Sequence, residues 1–306
     1  MVQFQRASTD NHLKIIKHYV TNIKKIVKTP IIYEIDDLLI GIPQWNRAAD
    51  YYSKYQNSIE QIMSIVNGIT VSTNKLKEIY SKYNNNIQVI PNHLPKFLWG
   101  DVTYKGFQHY MSSRNSVKPR ILYQGSDNHF CTKKLSEKGL SGGDFGNTIL
   151  DYIRKTVDKY QWIFMGGFPL EIDDLIKAGK VEYHGWKNIF EYPDYIKSLN
   201  VDLCIAVLQY NEFNESKSNI KNLEYVALGV PAIYTDIEPY KHTTNKAKTD
   251  EDMIAHIENL LVNPDLCKRS WELDYEAVKN NLFWESYDNV KNYVNSYLAL
   301  FGKVLK

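Results

Sequence analysis

Between Leu203 and Ile233 the chain places Lys217, Lys221 and Glu224 in a strand, loop and helix pattern suited to holding an anion beside a diol. A buried strand is expected to end near Val207. A polar loop carrying Asn214 and Ser216 follows, helical spacing begins near Ser218, and Gly229 with Pro231 marks the stop and the next strand. The helix N-terminus offers free backbone N–H groups at Ser218, Asn219 and Ile220, and its dipole favours negative charge. Lys217 and Lys221, as i, i+4 neighbours on a helix, repel by a few tenths of a kcal/mol, roughly, unless an anion sits between them. Glu224, two turns in, can accept two hydrogen bonds from hydroxyls such as those of a ribose. The set fits a nucleoside diphosphate; a solvated helix face is the bland alternative.

Other candidates also sit just past strands. Asp36 and Asp37 follow Ile31–Ile35, with one of them an equal candidate for capping the next segment. Gly125, Ser126 and His129 follow a strand beginning at Arg120; His184, Gly185 and Trp186 follow another. A lone histidine is more often a hydrogen-bonded structural group than a ligand. Asp250-Glu251-Asp252 has a spacing used for metal–diphosphate binding, but it opens a helix as an acidic cap would, so no metal site is expected. Gly142-Gly143 reads as a loop insertion, whereas Gly166-Gly167 ends a strand near the cleft.

The elements that must position these residues alternate between strand and helix. Strands are expected at Val2–Phe4, Ile31–Ile35, Gly68–Val71 and Ile87–Ile90, with helical spacing over Ile15–Ile26 and Tyr51–Ile65. After an irregular stretch from His93 to Pro119 the alternation restarts at Arg120–Tyr123, Trp162–Met165, Val181–His184, Leu203–Val207 and Pro231–Tyr234. Helices fit at Asn147–Lys159, Tyr192–Leu199 and Asn219–Leu228, and three more follow Asp250, the last near Trp284–Phe301. Buried parallel strands with crossover helices explain this pattern, and two doubly wound α/β halves summarise it. In such sheets ligands bind beyond the carboxyl ends of the strands.

The chain's 306 residues suffice for two ordinary domains, and a hydrophobic share of 43% with 24% charged residues is globular rather than disordered. No apolar run approaches the roughly 18–20 residues that span a bilayer, and the N-terminus lacks a signal-peptide pattern. Three scattered cysteines, Cys131, Cys204 and Cys267, indicate neither a disulfide framework nor a zinc knuckle. A cytoplasmic protein is expected. Lys14, Lys17, Lys24, Lys25 and Lys28 read first as a solvated helix face and second as a weak basic surface. No Gly-x-Gly-x-x-Gly follows any strand, which disfavours a dinucleotide-dependent oxidoreductase.

At Glu224 with Gly229-Val230-Pro231 the chain resembles family-4 glycosyltransferases of the GT-B fold, matching the second half of their Glu-x7-Glu motif. Position 216, where that motif has its first glutamate, is Ser216. Phe213, Asn214, Lys217, Ser218, Lys221, Glu224 and Tyr225 resemble instead a variant branch found among surface-polysaccharide and phage-encoded enzymes. Ile32–Leu39, Val71-Ser72-Thr73 with Val89–Asn92, Ile121–Ser126 with His129, and His184-Gly185-Trp186 match in the same order. The resemblance implies a GT-B fold of two Rossmann-like domains facing a cleft, with a truncated N-terminal domain: 1–116 acceptor side with linker, 117–282 nucleotide-sugar binding, and 283–306 a C-terminal helix able to return to the first domain. It implies retaining, metal-independent transfer from a nucleotide-diphosphate sugar used as co-substrate, with no cofactor. Donor contacts fall on Gly125, Ser126, His129, His184, Gly185, Trp186, Asn214, Ser216, Ser218, Asn219, Ile220 and Glu224, and catalytic roles on Asp36, Asp37, Lys217 and Lys221. The acceptor is expected to be a glycan or lipid-linked sugar, or a hydroxymethylated base in phage DNA, the protein then working in the host cytoplasm. The absence of two or three opening βα units points either to a natural short form or to a partner chain that supplies them, with a homo-oligomer as a further option. A non-catalytic sugar-nucleotide-binding subunit is the alternative class.

Overall fold

The computed structural model describes residues 1–23, 29–106 and 118–302. Lys24, Lys25 and Lys28 of the expected basic face lie outside them.

Two parallel sheets organise the chain. In the first, β1 (Val2–Gln5), β2 (Ile31–Ile35), β3 (Gly68–Val71) and β4 (Ile87–Val89) lie in sequence order. The middle strands β2 and β3 are almost wholly buried, as a sheet covered on both faces requires. Between them run α1 (Asp10–His18), α2 (Ala49–Lys54), α3 (Gln56–Ile65) and α4 (Asn74–Tyr80). The first helix starts earlier than its apolar spacing predicts, because Thr9 caps it: Thr9 Oγ1 accepts from His12 N at 3.2 Å, and the His12 side chain returns to the cap's own N–H. The single helix expected over Tyr51–Ile65 is broken at Tyr55.

After α5 (Lys96–Trp99) the chain enters the second sheet, formed by β5 (Arg120–Gly125), β6 (Gln161–Gly166), β7 (Glu182–His184), β8 (Leu203–Ala206), β9 (Ala232–Thr235) and β10 (Lys246–Ala247). Their order is β10-β9-β8-β5-β6-β7, so strand order reverses between β5 and β8. By topology such a reversal sets a crevice beyond the carboxyl ends of the flanking strands, here β5 and β8, the place where doubly wound sheets bind ligands. The crossover helices here are α6 (Lys133–Ser136), α7 (Asn147–Thr156), α8 (Asp173–Lys177), α9 (Tyr192–Ser198), α10 (Glu212–Glu215) and α11 (Ile220–Leu228). The two-residue β10 has too short a pattern to be read from sequence.

Gly229 ends α11 with φ +77°, and a Cβ there would lie 1.9 Å from Thr103 O. Only glycine satisfies both the left-handed cap and the docking of the linker, whose Lys105 N–H reaches Gly229 O at 2.7 Å. The tail forms α12 (Asp250–Val262), α13 (Pro264–Val278) and α14 (Tyr287–Gly302). The last packs on the first sheet, where Tyr297 and Leu300 bury against Ile32 and Asn86 Nδ2 donates to Leu300 O at 3.3 Å. Asp250 caps a neighbouring helix: its Oδ2 accepts from Ile149 N at 3.1 Å, in the first turn of α7, where Gly146 has no side chain to do so. No helix among the described residues is long and apolar enough to cross a membrane.

Candidate functional site

The crevice between β5 and β8 is lined from two loops and one helix. β5 delivers Gln124 and Gly125, and the turn after it carries His129. A Cβ on Gly125 would meet Tyr123 Oη at 2.7 Å, His129 Cδ2 at 3.1 Å and Lys221 Nζ at 3.1 Å. The missing side chain is therefore what lets these three groups converge.

Lys221 lies in the first turn of α11 and is 6% exposed. Its ammonium donates to Tyr123 Oη at 3.3 Å and sits 4.4 Å from that ring's centre, and no carboxylate pairs with it among the described residues. Burial, aided by Lys217, pulls its pKa down to about 7 against the opposing pull of Asp144 and Glu224. Glu224, one turn further on, takes Gln124 Nε2 at 2.6 Å and Tyr192 Oη at 3.4 Å, both on Oε2. Burial pushes its carboxyl up to about 7 although Lys221 and these two donors favour the anion. The N-terminus of α11 adds partial positive charge, although its Asn222 N–H already donates to Asn219 O at 2.9 Å. The crevice thus gathers a cation without a counterion, a helix N-terminus and a carboxylate whose Oε1 is free of hydrogen bonds among the described residues.

No family model matches the chain, and no curated protein matches it. Solved structures do. Sucrose-phosphate synthase from Thermosynechococcus elongatus matches at 14% identity and a TM-score of 0.59, over 92% of this chain and 70% of its own. HepE from Anabaena, in complex with UDP-glucose, matches at 10% identity and a TM-score of 0.61, over 95% and 77%. An α,α-trehalose-phosphate synthase (UDP-forming) from Burkholderia vietnamiensis matches at 10% identity and a TM-score of 0.57, over 99% and 70%. The chain has the GT-B fold.

Within that fold the sequence-derived candidates separate. Gly125, His129, Lys221 and Glu224 converge on the crevice, with Asn219 as the cap of α11 and Ile220 as its first residue. The exposed Trp186 stands at the rim, its Cζ2 3.4 Å from where a Cβ on Gly166 would be, and Gly185 beside it faces open space. Ser126 Oγ caps the turn Asp127–His129 by accepting from Asn128 N at 3.3 Å.

Others are engaged elsewhere. Ser216 is fully buried, its hydroxyl donating to Glu212 O at 2.7 Å within α10, so it does not face a ligand. Asn214 is equally buried and serves Asp144 and Gln209. The helix begins two residues later than Ser218, whose Oγ accepts from Asn92 of the first domain at 2.8 Å. Lys217 therefore lies outside α11, over the Phe213 ring at 4.3 Å, and it repels Lys221 through space rather than as an i, i+4 neighbour on one helix. Both ring nitrogens of His184 are occupied, by Tyr195 Oη at 2.8 Å and Glu182 Oε2 at 3.4 Å. Asp36 and Asp37 are held by Arg6, the first directly and the second at 3.8 Å. Asp37 Oδ1 also accepts from Leu38 N at 3.1 Å.

Sequence reading missed Asp144, Gln124, Tyr192 and Arg6. The Gly142-Gly143 pair is more than a loop insertion: with φ of +120° and +152° it folds the chain back so that Asp144 N donates to His129 O at 2.9 Å. That brings the Asp144 side chain under the crevice. The glycine pair was the available signal. Among the described residues no group of three or more His, Cys, Asp or Glu side chains is placed to hold a metal.

Proposed function

We propose that the chain is a glycosyltransferase that moves a sugar from a nucleotide-diphosphate donor to an acceptor hydroxyl. The observation that carries this reading is Lys221, a buried ammonium with no carboxylate partner, set in the first turn of a helix at a topological switch point. A buried unpaired charge costs several kcal/mol, roughly, and a diphosphate seated there removes that cost. Glu224 then addresses the ribose hydroxyls, and Trp186 offers a stacking face for the base. Lys221, Lys217 and the N-terminus of α11 stabilise charge on the leaving diphosphate, so the reading requires no metal. Retention of configuration comes only from the family resemblance. The GT-B neighbours support donor chemistry of this kind: one is in complex with UDP-glucose and another is named UDP-forming.

For the acceptor, a cavity of about 540 Å³ opens between the domains on the far side of α10. Glu78, Glu215, Asp236 and Glu238 line it against Lys75 and Lys241, beside the half-exposed Tyr210 ring. Glu78, Glu238 and Asp236 are ion-paired with Lys75, Lys241 and Lys246, so the cavity offers no excess of positive charge to a nucleic-acid backbone, whereas an aromatic face and mixed polar groups suit a neutral sugar. A glycan acceptor is therefore favoured over a DNA base.

The test is a melting-shift panel of nucleoside mono- and diphosphates and their sugars, since a ligand at about a thousand times its Kd stabilises by about 4 kcal/mol. A shift confined to one nucleoside diphosphate series, lost in Glu224→Ala with the fold intact, is expected. No shift with any nucleotide sinks the reading. Binding without turnover by the purified chain would leave a non-catalytic sugar-nucleotide-binding subunit.

A further inference from the structure

The most completely satisfied polar group near the crevice is Asp144, whose side chain is wholly buried. Its Oδ2 faces His129 Nδ1 at 2.5 Å. Its Oδ1 accepts from Gln209 N at 3.0 Å and from Asn214 Nδ2 at 2.6 Å. His129 belongs to the turn after β5, and Gln209 and Asn214 to the segment after β8. One carboxylate therefore ties together the two loops that flank the switch point. Asp144 is also the hydrogen-bond partner of the one imidazole that borders Gly125 and Lys221.

We propose that Asp144 is a positioning residue for donor binding, fixing His129 as the Nδ1–H tautomer with its Nε2 edge toward the diphosphate site and locking the spacing of the two loops. The inference rests on the donor-site reading above and goes beyond it.

The chemistry follows from the hydrogen-bond inventory. An ionised carboxylate only accepts, so Nδ1 must carry the hydrogen, and in the neutral ring Nε2 is left with a lone pair. The Cδ2 atom bonded to Nε2 is the one 3.1 Å from where a Gly125 Cβ would be, which places that edge of the ring at the crevice floor. The charged groups that act on the ring are Asp144, Lys221 and Lys217. Burial first, and then the two lysines, keep the empty-site ring neutral, with its pKa down at about 3. Burial alone would raise the Asp144 carboxyl, but His129, the Gln209 N–H and Lys217 outweigh it and hold the pKa below the ordinary value. A diphosphate beside the ring cancels the repulsion of the lysines and, together with Asp144, brings the negative charge that offsets burial, the larger cause of the low pKa. The ring can then take up a proton at Nε2 and donate it as a hydrogen bond to a phosphoryl oxygen, with Asp144 balancing the imidazolium.

A neighbouring carboxamide cannot do this. In Asp144→Asn one side-chain atom is a donor and must face either His129 or the Gln209 and Asn214 N–H groups, so one of the two ties is lost.

The experiment is nitrogen NMR of His129 with and without UDP-glucose, together with UDP-glucose titration of wild type and Asp144→Asn. Expected are an Nδ1–H, Nε2-bare ring in the free protein and a doubly protonated ring in the complex. The variant is expected to show a mixed or Nε2–H tautomer and a ten- to hundredfold weaker UDP-glucose Kd, while Asp144→Glu recovers part of the affinity. A Kd within twofold of wild type in Asp144→Asn overturns the proposal, as does an Nε2–H tautomer in the free wild type. If Asp144→Asn does not fold, the wild-type spectra alone decide. Failure of wild type to bind UDP-glucose sinks the donor-site reading and this inference with it, whereas normal wild-type binding with an indifferent variant sinks only the inference.

Discussion

The carboxyl ends of the two sheets carry charge in opposite ways. Beyond β5 and β8, Lys221 and Glu224 are withdrawn from water without a salt bridge, and both are pushed to a pKa of about 7. Beyond β1, β2 and β3, Asp36 and Asp37 are neutralised by Arg6, and Lys75 pairs with Glu78 at 3.4 Å. Paired, half-exposed charges hold a loop in place and contribute little else. Unpaired buried charges store a cost that a ligand of opposite sign can relieve. The contrast supports the proposal that the second domain is the binding half, although acidic strand-end residues occur in both.

The sharpest way to break this comparison is Lys221→Met. Donor affinity is expected to fall by roughly 2–3 kcal/mol, a rise in Kd of about thirty- to a hundred-and-fiftyfold by calorimetry, because a charged hydrogen bond is lost. The melting temperature of the empty protein should hold or rise, since an uncompensated buried cation has gone. A large drop in stability with unchanged affinity would make Lys221 a structural residue like Arg6.

The second prediction is pH dependence. As pH rises through about 7, Lys221 loses its charge and Glu224 gains one, so both changes make the crevice less positive. UDP-glucose affinity should fall about tenfold between pH 6 and 8 through loss of the Lys221 charge, measured in a Glu224→Gln background that removes the opposing gain of a hydroxyl-accepting carboxylate. A flat profile would show that the crevice charges do not meet the diphosphate. In the empty protein, the depressed Lys221 pKa makes stability rise with pH from about 7 toward its ordinary 10.5. The raised Glu224 pKa makes stability fall as pH climbs from its ordinary 4.5 to about 7. The pair together therefore predicts a stability minimum near neutrality that bound donor removes.

Smaller effects are expected outside the crevice. Asp250→Ala, which uncaps α7, should cost about 1 kcal/mol in denaturant unfolding with donor Kd unchanged. Arg6→Ala should cost less than about 1 kcal/mol, as exposed pairs do, and likewise leave donor Kd alone. A strong loss of donor affinity in Arg6→Ala would erase the distinction between the two sheet ends and return Asp36 and Asp37 to the binding site.

The alternation of short β-branched runs with helical spacing was enough to place nine of the ten strands among the described residues, because buried parallel strands such as Ile31–Ile35 and Leu203–Ala206 carry a dense local signal. The same holds for the stop at Gly229, where a left-handed cap demands glycine. Lys221 and Glu224 were legible because a helix fixes their spacing and its N-terminus fixes their chemistry. Ser216, Asn214 and His184 belonged to the same motifs, yet the structure turns them inward or pairs them, since one hydrogen bond to a carbonyl or a neighbouring phenol decides where a short polar side chain points.

What the sequence determined by itself was therefore local: element type, the parallel α/β class, and a helix N-terminus bearing a cation. What only the tertiary structure decided was which charges have partners. Arg6 reaches Asp36 across 30 positions, Asp144 meets Asn214 across 70, and Gln124 finds Glu224 across 100. The net field on a side chain depends on every charge and dipole that packing brings within a few ångströms, and no spacing rule encodes contacts made at such separations.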